Sequence, residues 1–373
     1  MLQLADPARE HEALRDAIES AAVRALRSGH YILGPEVEAF EQEFAAYCGA
    51  RAAVGVSNGS DAIVVALQAL GIGPGDEVLT TALSYLATAS AIHRCGATPV
   101  FADIDPDSFD LDPADVARRV TPRTRAIVAV HLYGRVADTD ALGAIARERG
   151  LVLVEDAAQA CGGERHGKRT GTLGTVSCFS FFPAKPFGAA GDGGACVTDD
   201  PKLAATMKSV RITGATAKNV HDLPGGNFRL DPLQAAILRV KLPYLEARLA
   251  RRRAHAEALR RGLAGVSSRL VLPADDAEGR HVYAQFTVRH PQRDALQAAL
   301  KRRDVGSEVY YPRPMPYQKV FDALGHRPGE FPRAERAAGE VLSIPVHSEL
   351  SDADVQAVID AMRASLDEID RGA

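Results

Sequence analysis

At 373 residues, 46% of them hydrophobic, the chain can bury a large core, and its length suits two domains or one large one. Its formal net charge of −4 arises from 44 basic and 48 acidic residues that interleave along the sequence, which excludes a nucleic-acid surface of the usual basic kind. Five cysteines with no CxxC pair argue against a disulfide framework, a zinc site or a redox pair, and read as small buried thiols of a reducing compartment.

Residues 1–19, MLQLADPAREHEALRDAIE, carry charges throughout and lack the apolar core of a signal peptide. No apolar run reaches the roughly 18–20 residues a membrane helix needs. The expectation is a cytoplasmic protein without membrane contact. Between about residues 52 and 200, short β-branched runs at 53–56, 77–80, 98–101, 126–130 and 151–154 alternate with helical stretches at 61–70, 87–95, 113–120 and 139–150. Strands covered by helices on both faces read this way, so a largely parallel α/β sheet is expected, with ligands beyond its carboxyl ends.

Further on, Asp231 and Pro232 suit the N-cap and first turn of a helix whose apolar face is Leu233, Ala236, Ile237 and Val240. Pro243 should break it before a second, charged helix running to about Gly262. The basic stretch Arg248–Arg253 in that helix reads as a solvated face. After about residue 265 the pattern changes: strands at 282–288 and 305–310, a helix over 291–303, and a last helix opened by Ser351 and Asp354 as a capping box. The expected division is a large α/β domain over 1–245, including an N-terminal helical segment, and a small α+β domain over 246–373.

Three segments carry candidate chemistry. In FSFFPAKPFGAAGDGG (179–194), prolines flank Lys185 and glycines follow it. A lysine in so constrained a place is a candidate Schiff-base nucleophile, because desolvation lowers its pKa; a surface-loop lysine is the plain alternative. In LVLVEDAAQA (151–160), a strand delivers Glu155 and Asp156 to its end, where a carboxylate can keep a pyridine nitrogen protonated or simply cap the next helix. In VSNGSDAIVVALQAL (56–70), Gly59 and Ser60 open an apolar helix whose N-terminus suits a phosphate, though ordinary capping needs the same letters. No GxGxxG follows a strand and no GxxxxGK[ST] occurs, so nucleotide-binding loops lack their usual signature.

Together with SGHYILGPEVEAFEQEFAAYCGA (28–50), GPGDEVLT (73–80), NFRLDPLQAAIL (227–238) and VYYPRPMPYQ (309–318), these segments resemble the DegT/DnrJ/EryC1/StrS sugar aminotransferases. The resemblance spans nearly the whole chain. It implies the aspartate-aminotransferase fold (fold type I of the pyridoxal-phosphate transferases), pyridoxal 5'-phosphate as cofactor, no metal, and a homodimer with shared active sites. It matches Lys185 to the Schiff-base lysine, Asp156 to the partner of the pyridine nitrogen, Tyr85 to the ring-stacking aromatic, and Gln159 to the glutamine against the ring. Gly59, Ser60 and Ser180 match phosphate-binding positions. Asn227 matches the residue reaching the neighbouring subunit's cofactor phosphate. Arg229 matches an arginine near the sugar, equally readable as an interface residue, and Tyr311 sits in the substrate-loop motif. Many relatives carry a histidine after YPxP where this chain has Met315-Pro316-Tyr317.

The implied reaction moves an amino group from L-glutamate to a nucleotide-linked keto-sugar, at C3 of a 3-keto hexose or 3-keto glucuronate. Amination at C4 of a 4-keto-6-deoxy sugar is the runner-up, and Arg229 would pair with a uronate carboxylate. A non-transaminating pyridoxal enzyme or a cofactor-binding regulator is the alternative of another class, though no basic helix-turn-helix precedes or follows the domain.

Overall fold

A computed structural model describes residues 1–273 and 276–371. Three helices lead: α1 (Pro7–Glu12), α2 (Arg15–Ser28) and α3 (Pro35–Cys48). A seven-stranded sheet follows, built from β1 (Ala52–Val56), β2 (Glu77–Thr81), β3 (Thr98–Ala102), β4 (Thr124–Val130), β5 (Val152–Asp156), β6 (Val176–Ser180) and β7 (Gly194–Thr198) in the order β1-β7-β6-β5-β4-β2-β3. Each expected apolar run falls on one of its strands. The joints from β3 to β6 are parallel, while β7 runs antiparallel to both β6 and β1. The sheet is covered by α4 (Gly59–Ala69), α5 (Ala87–Arg94), α6 (Pro113–Arg119), α7 (Thr139–Arg149) and α8 (Pro201–Val210). α4 is buried along most of its length, as its apolar composition requires.

α9 (Pro232–Lys241) begins at Pro232, but the Asp231 side chain makes no capping hydrogen bond. A short 3-10 turn containing Pro243 separates α9 from α10 (Leu245–Leu263). The expected division at residue 245 coincides with the start of α10, a helix that two cores share. Leu245 and Leu249 pack with the large sheet's aromatic cluster, whereas Ala256, Leu259 and Leu263 join a second core. That core is completed by β8 (Phe286–Arg289), β9 (Val341–Ile344), α11 (Arg293–Arg302) and α13 (Asp352–Arg371), while α12 (Pro332–Glu340) packs against the large sheet's side. At the start of α13, Ser351 Oγ accepts from Asp354 N–H at 3.1 Å and Asp354 Oδ2 accepts from Ser351 N–H at 3.0 Å, the reciprocal box that the sequence announces.

Three expectations need correction. Only residues 286–289 of the strand expected at 282–288 pair, because 282–285 crosses between the two cores. There the Val282 and Gln285 amides donate to the carbonyls of Gly134 and Tyr133 instead. The expected strand 305–310 reduces to isolated bridges, Val305 with Leu2 and Glu308 with Ser343. Finally, Arg248 and Arg252 are buried, not solvated: Arg248 pairs with Glu10, and Arg252 donates to the Tyr283 carbonyl at 3.0 Å. Long-range partners from α1 and the interdomain segment turn that face inward, and no local charge pattern reveals them.

Candidate active site

The carboxyl ends of β1, β2, β5 and β6 gather at one edge of the sheet. Strand register brings the first two phosphate-type segments together: Ser180 pairs with Gly194, and Gly194 with Val56. A Cβ built on Gly59 would lie 2.6 Å from Ser180 Cβ, and one on Gly194 2.5 Å from the Asn58 carbonyl carbon. Glycine is therefore required at both places by close approach. Asn58 caps α4 by accepting from Asp61 N–H at 2.8 Å. The exposed N–H groups of that terminus thus lie against the Ser180 hydroxyl, a cradle suited to a phosphate.

After Ser180 the chain forms a tight loop before β7. Phe181 N–H donates to Gly193 O at 2.8 Å, Lys185 N–H to Phe182 O at 2.8 Å and Ala189 N–H to Phe181 O at 2.7 Å. Pro186 and Phe187 are buried, and Phe187 lies in an aromatic cluster with Phe40, Phe44 and Phe181. Lys185 in this loop is half-buried. Desolvation pulls its amine down to about 8, against the opposing pull of the Asp156 carboxylate.

Asp156 ends β5 and is 5% exposed. Its Oδ2 accepts from Thr88 Oγ1 at 2.7 Å and its Oδ1 from Ala158 N–H at 3.2 Å. Alternation along β5 sends Glu155 to the opposite face. There it is fully buried and accepts from Leu173 and Gly174 N–H at 2.9 and 2.8 Å, from Ser177, and from His131 Nε2 at 3.0 Å. Ala137 N–H donates to His131 Nδ1 at 3.1 Å, which puts the ring proton on Nε2, facing Glu155. Glu155 is a brace behind the site. His131 N–H in turn donates to the Asp156 carbonyl at 3.0 Å.

Gln159 is fixed at both ends: its Oε1 accepts from Tyr133 N–H at 2.6 Å and its Nε2 donates to Tyr311 Oη at 3.2 Å. The Tyr133 hydroxyl donates to the Tyr310 carbonyl, so the same residue holds the substrate-loop motif. Tyr85 is 60% exposed, which core packing does not explain, and its ring centroid is 5.9 Å from that of Tyr311. Tyr85 and Ser60 line one hollow together with Ser90 and Arg94. Lys185, Asp156, Gln159, Tyr311, Tyr85, Gly59, Ser60 and Ser180 therefore belong to one locality. Asn227 and Arg229 connect to it only through main chain: the Phe228 carbonyl between them accepts from Ser57 N–H at 3.1 Å. Asn227 is exposed, and among the described residues Arg229 has no carboxylate partner within this chain.

The family model described as the DegT/DnrJ/EryC1/StrS aminotransferase family matches residues 12–363. The chain belongs to this family. It is 47% identical to a "Pleiotropic regulatory protein" of Geobacillus stearothermophilus over 95% of this chain and 96% of that one. It is 44% identical to a dTDP-3-amino-3,4,6-trideoxy-alpha-D-glucose transaminase of Streptomyces venezuelae, over 97% and 95% respectively. Among solved structures, Streptomyces venezuelae DesV in complex with a ketimine intermediate superposes with a TM-score of 0.95 at 43% identity, covering 97% of this chain and 98% of that one.

The family depends on pyridoxal 5'-phosphate, and the residues of this member fit that group. A desolvated amine faces a supported carboxylate, an exposed aromatic ring adjoins them, and a Cβ-intolerant helix terminus lies beside a hydroxyl. Two residues of this site escape sequence reasoning. Thr88 follows Tyr85 by three positions, which is the only local signal for it. Tyr133 betrays itself in structure by a φ of 58°. Thr88→Val removes a buried hydrogen bond to a charged group, so kcat should fall about tenfold, the equivalent of roughly 1.5 kcal/mol. Unchanged kcat with normal cofactor absorption would remove Thr88 from the site.

Proposed function

We propose that this family member is a pyridoxal-phosphate-dependent aminotransferase that moves an amino group from L-glutamate to C3 of a nucleotide-linked keto-sugar. The observation that carries the reading is a desolvated Lys185 within electrostatic reach of the Thr88-supported Asp156. When bound, the cofactor supplies an electron sink for the carbanion that arises as the amino group changes hands. Lys185, neutral for a useful fraction of the time near pH 8, would hold the cofactor covalently and would serve as the general acid–base that moves a proton. Asp156 would keep the ring nitrogen protonated. Gln159 and Tyr85 would lie against the ring, and Gly59, Ser60 and Ser180 would hold the phosphate. Tyr311, oriented by Gln159, faces the acceptor.

The 3-amino-sugar transaminase at 44% identity supports the C3 assignment. The test is incubation with glutamate and matched 3-keto and 4-keto nucleotide sugars, including a 3-keto glucuronate, with mass spectrometry of the products. Conversion of the 4-keto sugars alone would overturn it. Arg229, with no carboxylate partner among the described residues, would pair with a uronate carboxylate. An unaltered KM for a uronate in Arg229→Ala would dismiss that role. The regulatory name of the 47% relative favours a second reading, a cofactor-binding regulator. Cofactor binding without glutamate turnover on any of the sugars is the result that would favour it.

Because only the neutral amine can form the link, cofactor loading of stripped protein should accelerate about tenfold between pH 7 and pH 9 and reach half its maximal rate near the Lys185 value of about 8. A rate independent of pH would contradict the desolvated amine.

A homodimer with shared sites is part of the proposal. Val23, Leu26, Tyr31 and Ile32 expose apolar surface along and after α2, which supports a covering second copy. Asn227 would then serve the neighbouring subunit. Mixing inactive Lys185→Ala and Asn227→Ala chains should restore about a quarter of wild-type activity, because half the dimers are mixed and each regains one intact site. No recovery after verified subunit exchange would refute sharing.

A further inference from the structure

Lys241, the last residue of α9, is only 7% exposed. Its amine donates to the carbonyl of Gly188, in the loop that carries Lys185, and pairs with Glu10 Oε1 at 2.7 Å. Arg248 meets the same Glu10 carboxylate and lies 3.8 Å from Glu349, while Arg9 pairs with Asp354 at 3.0 Å. Helix α1 thus joins α9, α10 and the start of α13. A second residue of α9 grips the same loop: Gln234 Oε1 accepts from Ala190 N–H at 2.9 Å.

The loop leaves little slack at this point. A Cβ on Gly188 would sit 2.6 Å from the Pro183 carbonyl oxygen, so the chain folds back tightly on either side of Lys185. A buried cation is a costly way to fill volume, since apolar residues of similar size usually serve packing as well or better. What an ammonium adds here is a directed donor to one carbonyl, with an anion to offset its burial. Burial pulls the Lys241 amine below the usual lysine range, Glu10 opposes that shift, and Arg248 adds to it. Glu349 is the further acid facing the cluster.

We propose that Lys241 is a positioning residue that clamps the Lys185 loop onto α9 through Gly188, with Glu10 as the counterion that keeps the clamp charged. The inference rests on Lys185 being the reacting amine. It makes the N-terminal helix part of the active-site scaffold, because removing Glu10 loosens a loop with which α1 shares no chemistry. An ion pair that merely tied α1 to α9 would leave the loop's motion untouched.

The test uses full-length, cofactor-loaded protein and amide hydrogen exchange over residues 183–190. Lys241→Met should speed exchange of the Lys185 and Ala189 amides about tenfold or more, as expected for losing a hydrogen bond from a charged donor. Amides of β4 and β5 should exchange as in wild type, and kcat should fall while KM for glutamate stays within about twofold. Lys241→Arg, which keeps a charged donor, should recover most of the protection. Glu10→Gln should produce the same local acceleration to a smaller degree, and it decides the matter if Lys241→Met fails to fold. Unchanged exchange at 183–190 in a folded Lys241→Met protein, or in Glu10→Gln where the former does not fold, overturns the clamp. Wild-type protein with no visible cofactor absorption would sink the Lys185 assignment, yet the exchange comparison would still read the clamp.

Discussion

Replacement of Lys185 by alanine will abolish the absorption band of the lysine-linked cofactor and reduce transamination by about 10⁴-fold. That is the upper end of what one positioned acid–base group supplies, and the same side chain is proposed to make the covalent link as well. The effect should be chemical and not structural. The Lys185 amine titrates near 8 in the folded protein, below the ordinary lysine value of 10.5, because burial disfavours its charge. Below pH 8 the cofactor-free fold therefore carries a charged amine at a cost that the unfolded chain avoids. The stability penalty is fully present at neutral pH and disappears as pH rises from about 8 towards 10.5. Removing the amine lifts the penalty, so the stripped alanine variant should unfold at the same temperature as wild type or higher near pH 7. Lys185→Arg is the control for charge: it keeps a cation but provides no neutral amine, and it should be as inactive as alanine. Turnover and visible absorption surviving in the alanine variant would end the assignment of this lysine.

What the sequence reveals of this site follows from how local each feature is. The strands β1 to β5 are legible because each holds a short, largely apolar run rich in β-branched residues, the signature of a strand buried on both faces. Lys185 stands out because prolines and glycines mark its loop within a dozen residues. The supporting residues are hidden because sheet order, not chain order, decides their neighbours. Thr88 follows β2, yet it reaches Asp156 on β5 across the intervening β4. Arg248 and Arg252 look solvated until α1, far upstream, and residue 283, downstream, fold over them. Strand 305–310 fails for a related reason. The segment spends its main-chain groups on Leu2 and Ser343 before delivering Tyr310 and Tyr311 to the site. Asn227 and Arg229 stay undecided within one chain because the targets proposed for them would lie on a second subunit or a substrate.

Asp156→Asn should lower kcat by about 10²–10³-fold while leaving cofactor binding largely intact, the cost of losing one preorganised charge at the reacting centre. The amide is close to the carboxylate in shape, and its oxygen can still accept from Thr88, so the phosphate and ring contacts have no reason to change. What it lacks is the negative charge proposed to hold a proton on the ring nitrogen. A second consequence follows for Lys185. The Asp156 carboxylate opposes the desolvation of that amine, so its loss should move the midpoint of cofactor loading below pH 8. The two shifts have a common origin and should appear together. Thr88 then offers a check on the cause. If its hydroxyl acts by orienting the Asp156 charge, Thr88→Val should cost about tenfold in wild type but less than about twofold in the Asp156→Asn background, a coupling that a double-mutant cycle measures directly. Equal costs in both backgrounds would mean that Thr88 shapes the pocket independently of the carboxylate. A kcat within about tenfold of wild type in Asp156→Asn would mean that some other group governs the ring nitrogen.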